Sequence, residues 1–278
     1  MKIKKLLLGI FGLAILSLSV FAEDKKTQVE LSVSVNWTFG CYKETTFSNI
    51  SQSILSPRFQ LESKIFAGDM LHKITADYYF CHPESAMTET AVVYKNYDPI
   101  SGETYYEGFQ SNLAFHRIRL QYDAEYDVLK EEKMDLYVGG NFSCNAYLQF
   151  ENYPSITGLI SIGPSSAFNY KINDRNSFMV TGSMPLFGYG VRPPFAGCDA
   201  QLMKYAEEDF LKILTLGNFL SLHNYQSILL GFDYKLRASQ HFSTGLGLSF
   251  EYSRIAVPKE RPLYYLDGSF KTSAAINF

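Results

Sequence analysis

Beyond residue 22 the 278-residue chain has no apolar run approaching the ~20 residues of a membrane-spanning helix, which excludes a polytopic helical membrane protein. Charge of one sign is also missing. With 25 basic and 28 acidic residues the formal net charge is -3, too even for a nucleic-acid partner. Charged residues make up 19% of the chain against 15% aromatic, a balance that excludes disorder. Cysteine is scarce: Cys41, Cys81, Cys144 and Cys198 fit no CxxC or zinc spacing, so neither a metal nor a cofactor is expected. A disulfide remains open, with no pairing readable from the spacing. What is left is a folded chain that hides its apolar residues without runs, which points to alternation.

The amino terminus differs from the rest. Lys2, Lys4 and Lys5 precede the apolar stretch Leu6 to Phe21, and Val20 and Ala22 occupy the -3 and -1 positions of a cleavage site. Residues 1–22 therefore read as a Sec-type signal peptide and 23–278 as the mature domain. Removing three lysines leaves 22 basic against 28 acidic residues, a net charge of -6. Export makes the thiols available for oxidation.

From Thr27, the residues Val29, Leu31, Val33, Val35 and Trp37 alternate with Gln28, Glu30, Ser32, Ser34 and Asn36. This period of two marks a strand with one apolar and one wet face. It recurs at Asp135 to Phe150 and at Ser227 to Arg237. Applied throughout, it predicts ten strands: 27–38, 58–67, 70–81, 112–127, 135–150, 156–171, 177–190, 226–237, 241–256 and 264–278. Several exceed what a soluble strand needs and match tilted strands that cross a bilayer. Long connections (39–57, 82–111 and 191–225) follow odd-numbered strands. Short ones follow even-numbered strands: 68–69, 128–134, 172–176 and 238–240. That alternation, the even count and the closing segment Ser273-Ala274-Ala275-Ile276-Asn277-Phe278 resemble the outer-membrane β-barrel proteins of diderm bacteria.

The resemblance implies an all-β, ten-stranded antiparallel up-and-down barrel, with eight and twelve as the neighbouring even counts. It also implies periplasmic termini, outer-membrane lipid as surroundings and recognition of the last strand, ending in Phe278, by the assembly machinery. The alternative is a soluble β-sandwich or lipocalin-like barrel, whose apolar face would be the core.

In a membrane barrel the apolar ladders face lipid and the others line the lumen. The lumen is then expected to carry Glu30, Arg58, Glu62, Lys64, Lys73, Asp77, Arg117, Arg119, Asp123, Glu125, Lys171, Asp233, Lys235, Arg237, Glu251, Asp267 and Lys271, nine basic and eight acidic. Asp127 and Asp135 are placed at the periplasmic rim, and Arg254 on the wall near the outer interface. Near-balance suggests charges paired across a narrow interior, since wide aqueous channels belong to barrels of about 16–18 strands.

Function then falls to the outer loops. In 82–111, Tyr94, Tyr97, Tyr105 and Tyr106 flank Asp98-Pro99-Ile100-Ser101-Gly102, a projecting hairpin suited to contact with an extracellular ligand of unknown identity, unless the tyrosines pack the loop or its girdle. In 191–225, Ala200 to Leu216 has the spacing of an amphipathic helix that either caps the mouth, the preferred reading, or lies at the lipid interface. The segment His241-Phe242-Ser243 resembles the His-x-Ser of outer-membrane lipases and lipid A deacylases, which implies a serine nucleophile activated by histidine. Two departures weaken it: Thr244 stands where asparagine is common, and the register points both side chains to the periplasmic end of the lumen. An omptin-type protease would need an Asp–His pair at the outer rim, and the sequence offers none. The expectation is a non-enzymatic structural or surface-interaction protein, with a narrow solute channel and a lipid hydrolase as alternatives.

Overall fold

The computed structural model describes residues 27–45, 51–82, 84–85, 91–97, 104–110, 114–150, 155–192, 204–205, 212, 215–257 and 259–278. The expected signal peptide, the 98–102 turn and Cys198 lie outside them. Of the expected 200–216 helix only the fragments at 204–205, 212 and 215–216 are described.

Strands β1 (Thr27–Glu44), β2 (Gln52–Ala67) and β3 (Met70–Cys81) form a meander. The short β4 (Glu84–Ser85) pairs with β2, and β5 (Ala91–Tyr97) with β6 (Thr104–Gln110) makes a separate two-stranded sheet. The meander resumes with β7 (Ala114–Lys130), β8 (Met134–Phe150) and β9 (Ser155–Lys171). Then follow β10 (Asn176–Ser183), β11 (Phe187–Val191), β12 (Asn218–Ser221), β13 (Tyr225–Arg237), β14 (Phe242–Ile255) and β15 (Leu263–Asn277). β10 and β11 form one stave and β12 and β13 another. β15 pairs with β1 from Asn277↔Glu30 to Leu263↔Glu44, closing an antiparallel barrel of ten staves.

The long strands have lipid-length reach, and their exposures sort by parity. On the outside Val33, Trp37, Phe39, Phe59 and Leu248 are each more than half exposed, whereas Arg58 and Arg117 on the inside are 1% and 0% exposed. A water-soluble protein does not leave a continuous apolar belt open while burying arginine, so the soluble sandwich or lipocalin-like alternative fails on this point. The short turns share one end of the barrel with both termini, where Phe278 N–H donates to Val29 O at 2.8 Å. The tightest turn places Gly68 at φ 62°, a left-handed conformation that glycine adopts without a Cβ clash.

Three expectations change. Segment 39–57 was expected as a loop, yet β1 runs to Glu44 and β2 starts at Gln52. Pro57, which has no N–H to donate to a ladder, therefore lies inside β2. It is tolerated because the β2–β3 ladder begins one residue later, at Arg58↔Tyr79, and the Ser56 hydroxyl donates to Phe80 O beside it. The single strand expected over 177–190 breaks at Met184-Pro185-Leu186. There three residues oppose Gly163 and Pro164 of β9, a bulge whose β9 side is kept by Met184 N–H to Pro164 O (3.1 Å) and Leu186 N–H to Ile162 O (2.9 Å). Finally, 191–225 was expected to be all connection, but it supplies β12, which pairs with β11.

Close approach of β8 to β7 depends on Gly139: a Cβ there would lie 2.0 Å from Ala124 O and 2.6 Å from Glu125 Cα. Gly139→Val is expected to cost about 1–3 kcal/mol, since the backbone of β7 must move. The check is the fraction of compact, unheated band on a detergent gel, which should fall; an unchanged fraction would mean that the two strands separate freely.

Candidate functional site

The wet ladders converge on the barrel interior, which is stratified along the axis. At the outer end, inward-pointing Tyr42, Tyr79, Phe115, Tyr147, Leu220 and Tyr265 form an apolar cluster. Ring centroids lie 4.5 Å apart for Tyr42–Phe115 and 6.0 Å for Tyr147–Tyr265. At the periplasmic end Leu71, Tyr137, Ala167 and Met179 pack with Phe66.

Between them lies a charged waist. Arg58 pairs with Asp267 at 2.5 Å. Arg117 pairs with Glu251, donates to Tyr265 Oη (3.1 Å) and Asn145 Oδ1 (3.3 Å), and lies 4.6 and 5.4 Å from the Tyr265 and Tyr147 ring centres. Tyr79 donates to Tyr265 at 2.8 Å, and Tyr265 in turn to Asp267. Arg119 bridges Asp77 (2.6 Å) and Glu251 (2.9 Å). Lower down, Lys73 meets Asp123 at 3.0 Å, Lys64 meets Glu62 at 3.1 Å and Glu30 at 3.8 Å, Lys235 meets Glu30, and Lys271 meets Asp233 at 2.6 Å. Arg58–Asp267, Arg117–Glu251, Arg119–Glu251, Lys235–Glu30 and Lys271–Asp233 join staves that are not neighbours, whereas Lys73–Asp123, Arg119–Asp77 and Lys64–Glu30 link adjacent strands and Lys64–Glu62 runs along β2. Burying such ions is tolerable only because each finds a partner and further hydrogen bonds.

Beside the waist is a cavity of about 60 Å³, lined by Gln60, Thr75, Gln121, Thr181, Asp233 and Ser249 among others. Gly231 of β13 lines it, so the wall carries no side chain at that one position. A water needs about 10–15 Å³, so the cavity is large enough for a few waters and no more.

Most of the expected lumen charges are placed inside. Two are not: Lys171 and Arg237 are exposed at the periplasmic rim, because their strands end there, and Lys171 reaches back to Asp135 at 3.2 Å. Asp135, expected at that rim, is 6% exposed and points inward. Glu125 is buried at 1% exposure, and neither of its carboxylate oxygens has a hydrogen-bond partner among the described residues.

The inward aromatics were missed by sequence reasoning, though a signal existed. Tyr79 is two residues from Asp77, Phe115 from Arg117, Tyr147 from Asn145 and Tyr265 from Asp267, so all share the wet parity.

Tyr94, Tyr97, Tyr105 and Tyr106 fall on the β5–β6 hairpin, with Tyr94↔Glu107, Lys95↔Tyr106, Asn96↔Tyr105 and Tyr97↔Thr104 in register. His241 and Ser243 are not brought together. Ser243 is fully buried with no partner for its hydroxyl among the described residues, while the exposed His241 contacts Asn277 O through Nδ1 at 3.3 Å. Cys41, Cys81 and Cys144 are free thiols, Cys41 pointing outward and Cys81 inward from non-adjacent strands.

Neither a protein-family model nor a curated protein matches the sequence. Solved structures do. The chain is similar to the outer membrane protease OmpT from Escherichia coli at 8% identity, covering 92% of this chain and 99% of that one, with a TM-score of 0.47. It is also similar to Neisserial surface protein A at 10% identity, covering 89% and 97%, with a TM-score of 0.38. Against Ail, the attachment invasion locus protein of Yersinia pestis, identity is 11% over 90% and 98%, with a TM-score of 0.28. The closed antiparallel wall, the apolar belt facing out and the ion-paired interior are those of a membrane-spanning β-barrel.

Proposed function

We propose that the barrel is a non-enzymatic surface-interaction protein whose interior is a packed polar core and whose binding is done by its outer loops. The observation that carries this reading is the stratified lumen. Salt bridges cross it between two apolar clusters, and the cavity beside them is about 60 Å³, far below the 300–1,000 Å³ of a small-molecule site. A wall committed to lipid and a core committed to ion pairs leave the loops for recognition. The tyrosine-rich β5–β6 hairpin is the first candidate, since tyrosine offers large amphipathic contact area at little entropic cost. The carboxy-terminal strand ending at Phe278 serves as the assembly signal.

The test is adhesion of proteoliposomes carrying the mature barrel to surfaces coated with a panel of glycans and extracellular-matrix proteins. Replacing 91–110 by a short Gly-Ser linker is expected to reduce retention on a bound coat at least tenfold, with the compact gel band retained. Equal retention of both forms, or none on any coat, would overturn the loop reading. The hydrolase alternative is addressed by lipid release: wild type and Ser243→Ala are expected to release no fatty acid, and a serine-dependent product would sink the non-enzymatic reading.

A further inference from the structure

Among the described residues the lipid-facing wall carries outward His72 and His116 on β3 and β7, but lysine and arginine only in one sector of its outer edge. There β1, β15 and β14 lie side by side, and their ladders align Lys43 with Tyr264 and Tyr264 with Arg254 in a single transverse row. Parity sends all three outward: the residues beside them in sequence, Tyr42, Leu263, Tyr265, Ser253 and Ile255, are buried in the interior. The Arg254 guanidinium lies 5.9 Å from the centre of the Tyr264 ring. With neighbouring strands about 4.8 Å apart, the two cations flank the tyrosine at about 10 Å between backbones, within reach of one small anion from both sides.

These two charges differ from those of the lumen. Inside, the charges are ion-paired; on this row no carboxylate lies within ion-pair distance of Lys43 or Arg254 among the described residues. The connection just beyond, 256–262, adds Lys259 and Arg261 against Glu260. The row also sits at the end of the barrel opposite the termini and the short turns, so it faces the headgroup level of the outer leaflet.

We propose that Lys43, Tyr264 and Arg254 form a binding site for a phosphate group carried by an outer-leaflet glycolipid. The guanidinium supplies paired N–H donors to phosphate oxygens, the ammonium supplies a second charge from the other side, and the tyrosine packs against the sugar with its hydroxyl in the interface. A cation on the lipid face costs little at this depth, and an anionic headgroup converts it into a charge-assisted contact. The inference rests on the membrane orientation and is independent of the loop reading above.

The experiment uses the mature barrel in detergent micelles, stripped of lipid and then incubated with lipid A. Retained lipid is measured by native mass spectrometry. Lys43→Ala/Arg254→Ala is expected to retain phosphorylated lipid A at least tenfold less than wild type. Wild type is expected to retain enzymatically dephosphorylated lipid A no better than the double variant retains the phosphorylated form. Both substitutions are on the outer surface, and the compact unheated band verifies folding; Lys259→Ala is the control for loop charge and should change retention less than twofold. Equal retention by the double variant overturns the site. Equal retention of phosphorylated and dephosphorylated lipid by wild type overturns the phosphate chemistry.

Discussion

Arg117→Ala is expected to lower the stability of the folded barrel by about 3–5 kcal/mol, the cost of removing one partner from a buried ion pair. The side chain is fully buried, pairs with Glu251, donates to Tyr265 and Asn145, and lies against the Tyr147 and Tyr265 rings. Its loss leaves Glu251 with Arg119 as its remaining ion-pair partner. The reference is Lys130→Ala, which breaks a pair with Asp69 whose side chains are 64% and 57% exposed; that change should cost at most about 1 kcal/mol. The measurement is the urea midpoint of the shift from compact to extended band in detergent. A third variant, Arg117→Met/Glu251→Leu, is expected to recover part of the loss, because it removes the carboxylate that has lost one of its two cations, while Arg119 keeps Asp77. An Arg117→Ala shift no larger than that of Lys130→Ala would mean that the waist does not hold the staves together.

In planar bilayers the wild-type barrel is expected to show no reproducible conductance steps. A current needs a continuous wet path, and three barriers stand in series: the outer aromatic cluster, the Arg58–Asp267 and Arg117–Glu251 crossings, and the periplasmic cluster at Leu71 and Tyr137. Phe115→Ala/Tyr147→Ala removes part of the first barrier only and should remain silent, since the crossings below it are intact. Reproducible wild-type steps, with a selectivity that shifts in Lys271→Gln or Asp233→Asn beside the cavity, would establish the narrow channel instead.

The strand count, the alternation of loop lengths and the parity of each ladder were readable because a barrel wall has only two faces and lipid tolerates charge on neither wall position nor depth at random. A residue such as Asp233 or Leu230 declares its side by chemistry. Pro57 and Pro185 both lack an N–H, yet the sheet accommodates them in opposite ways. At Pro57 the neighbouring ladder happens to start one residue later, and at Pro185 a bulge absorbs the loss. Which of these happens depends on where the next strand lies, and that is a property of the closed sheet.

By itself the sequence determined the class of protein: a two-residue period maintained over long segments, with short turns on one side and long connections on the other, has few solutions other than a membrane barrel. It determined most of the inward set of charges as well, since parity follows from local backbone geometry; Lys171, Arg237 and Asp135 differ because they sit where strands end. Only the tertiary structure decided who pairs with whom. Arg117 and Glu251 are 134 residues apart, and Arg58 and Asp267 are separated by 209. Their meeting depends on the stagger between staves and on the width of the closed ring, which are fixed when β15 joins β1. The same closure set Lys43 beside Tyr264 and Arg254, residues from the two ends of the chain that no local pattern connects.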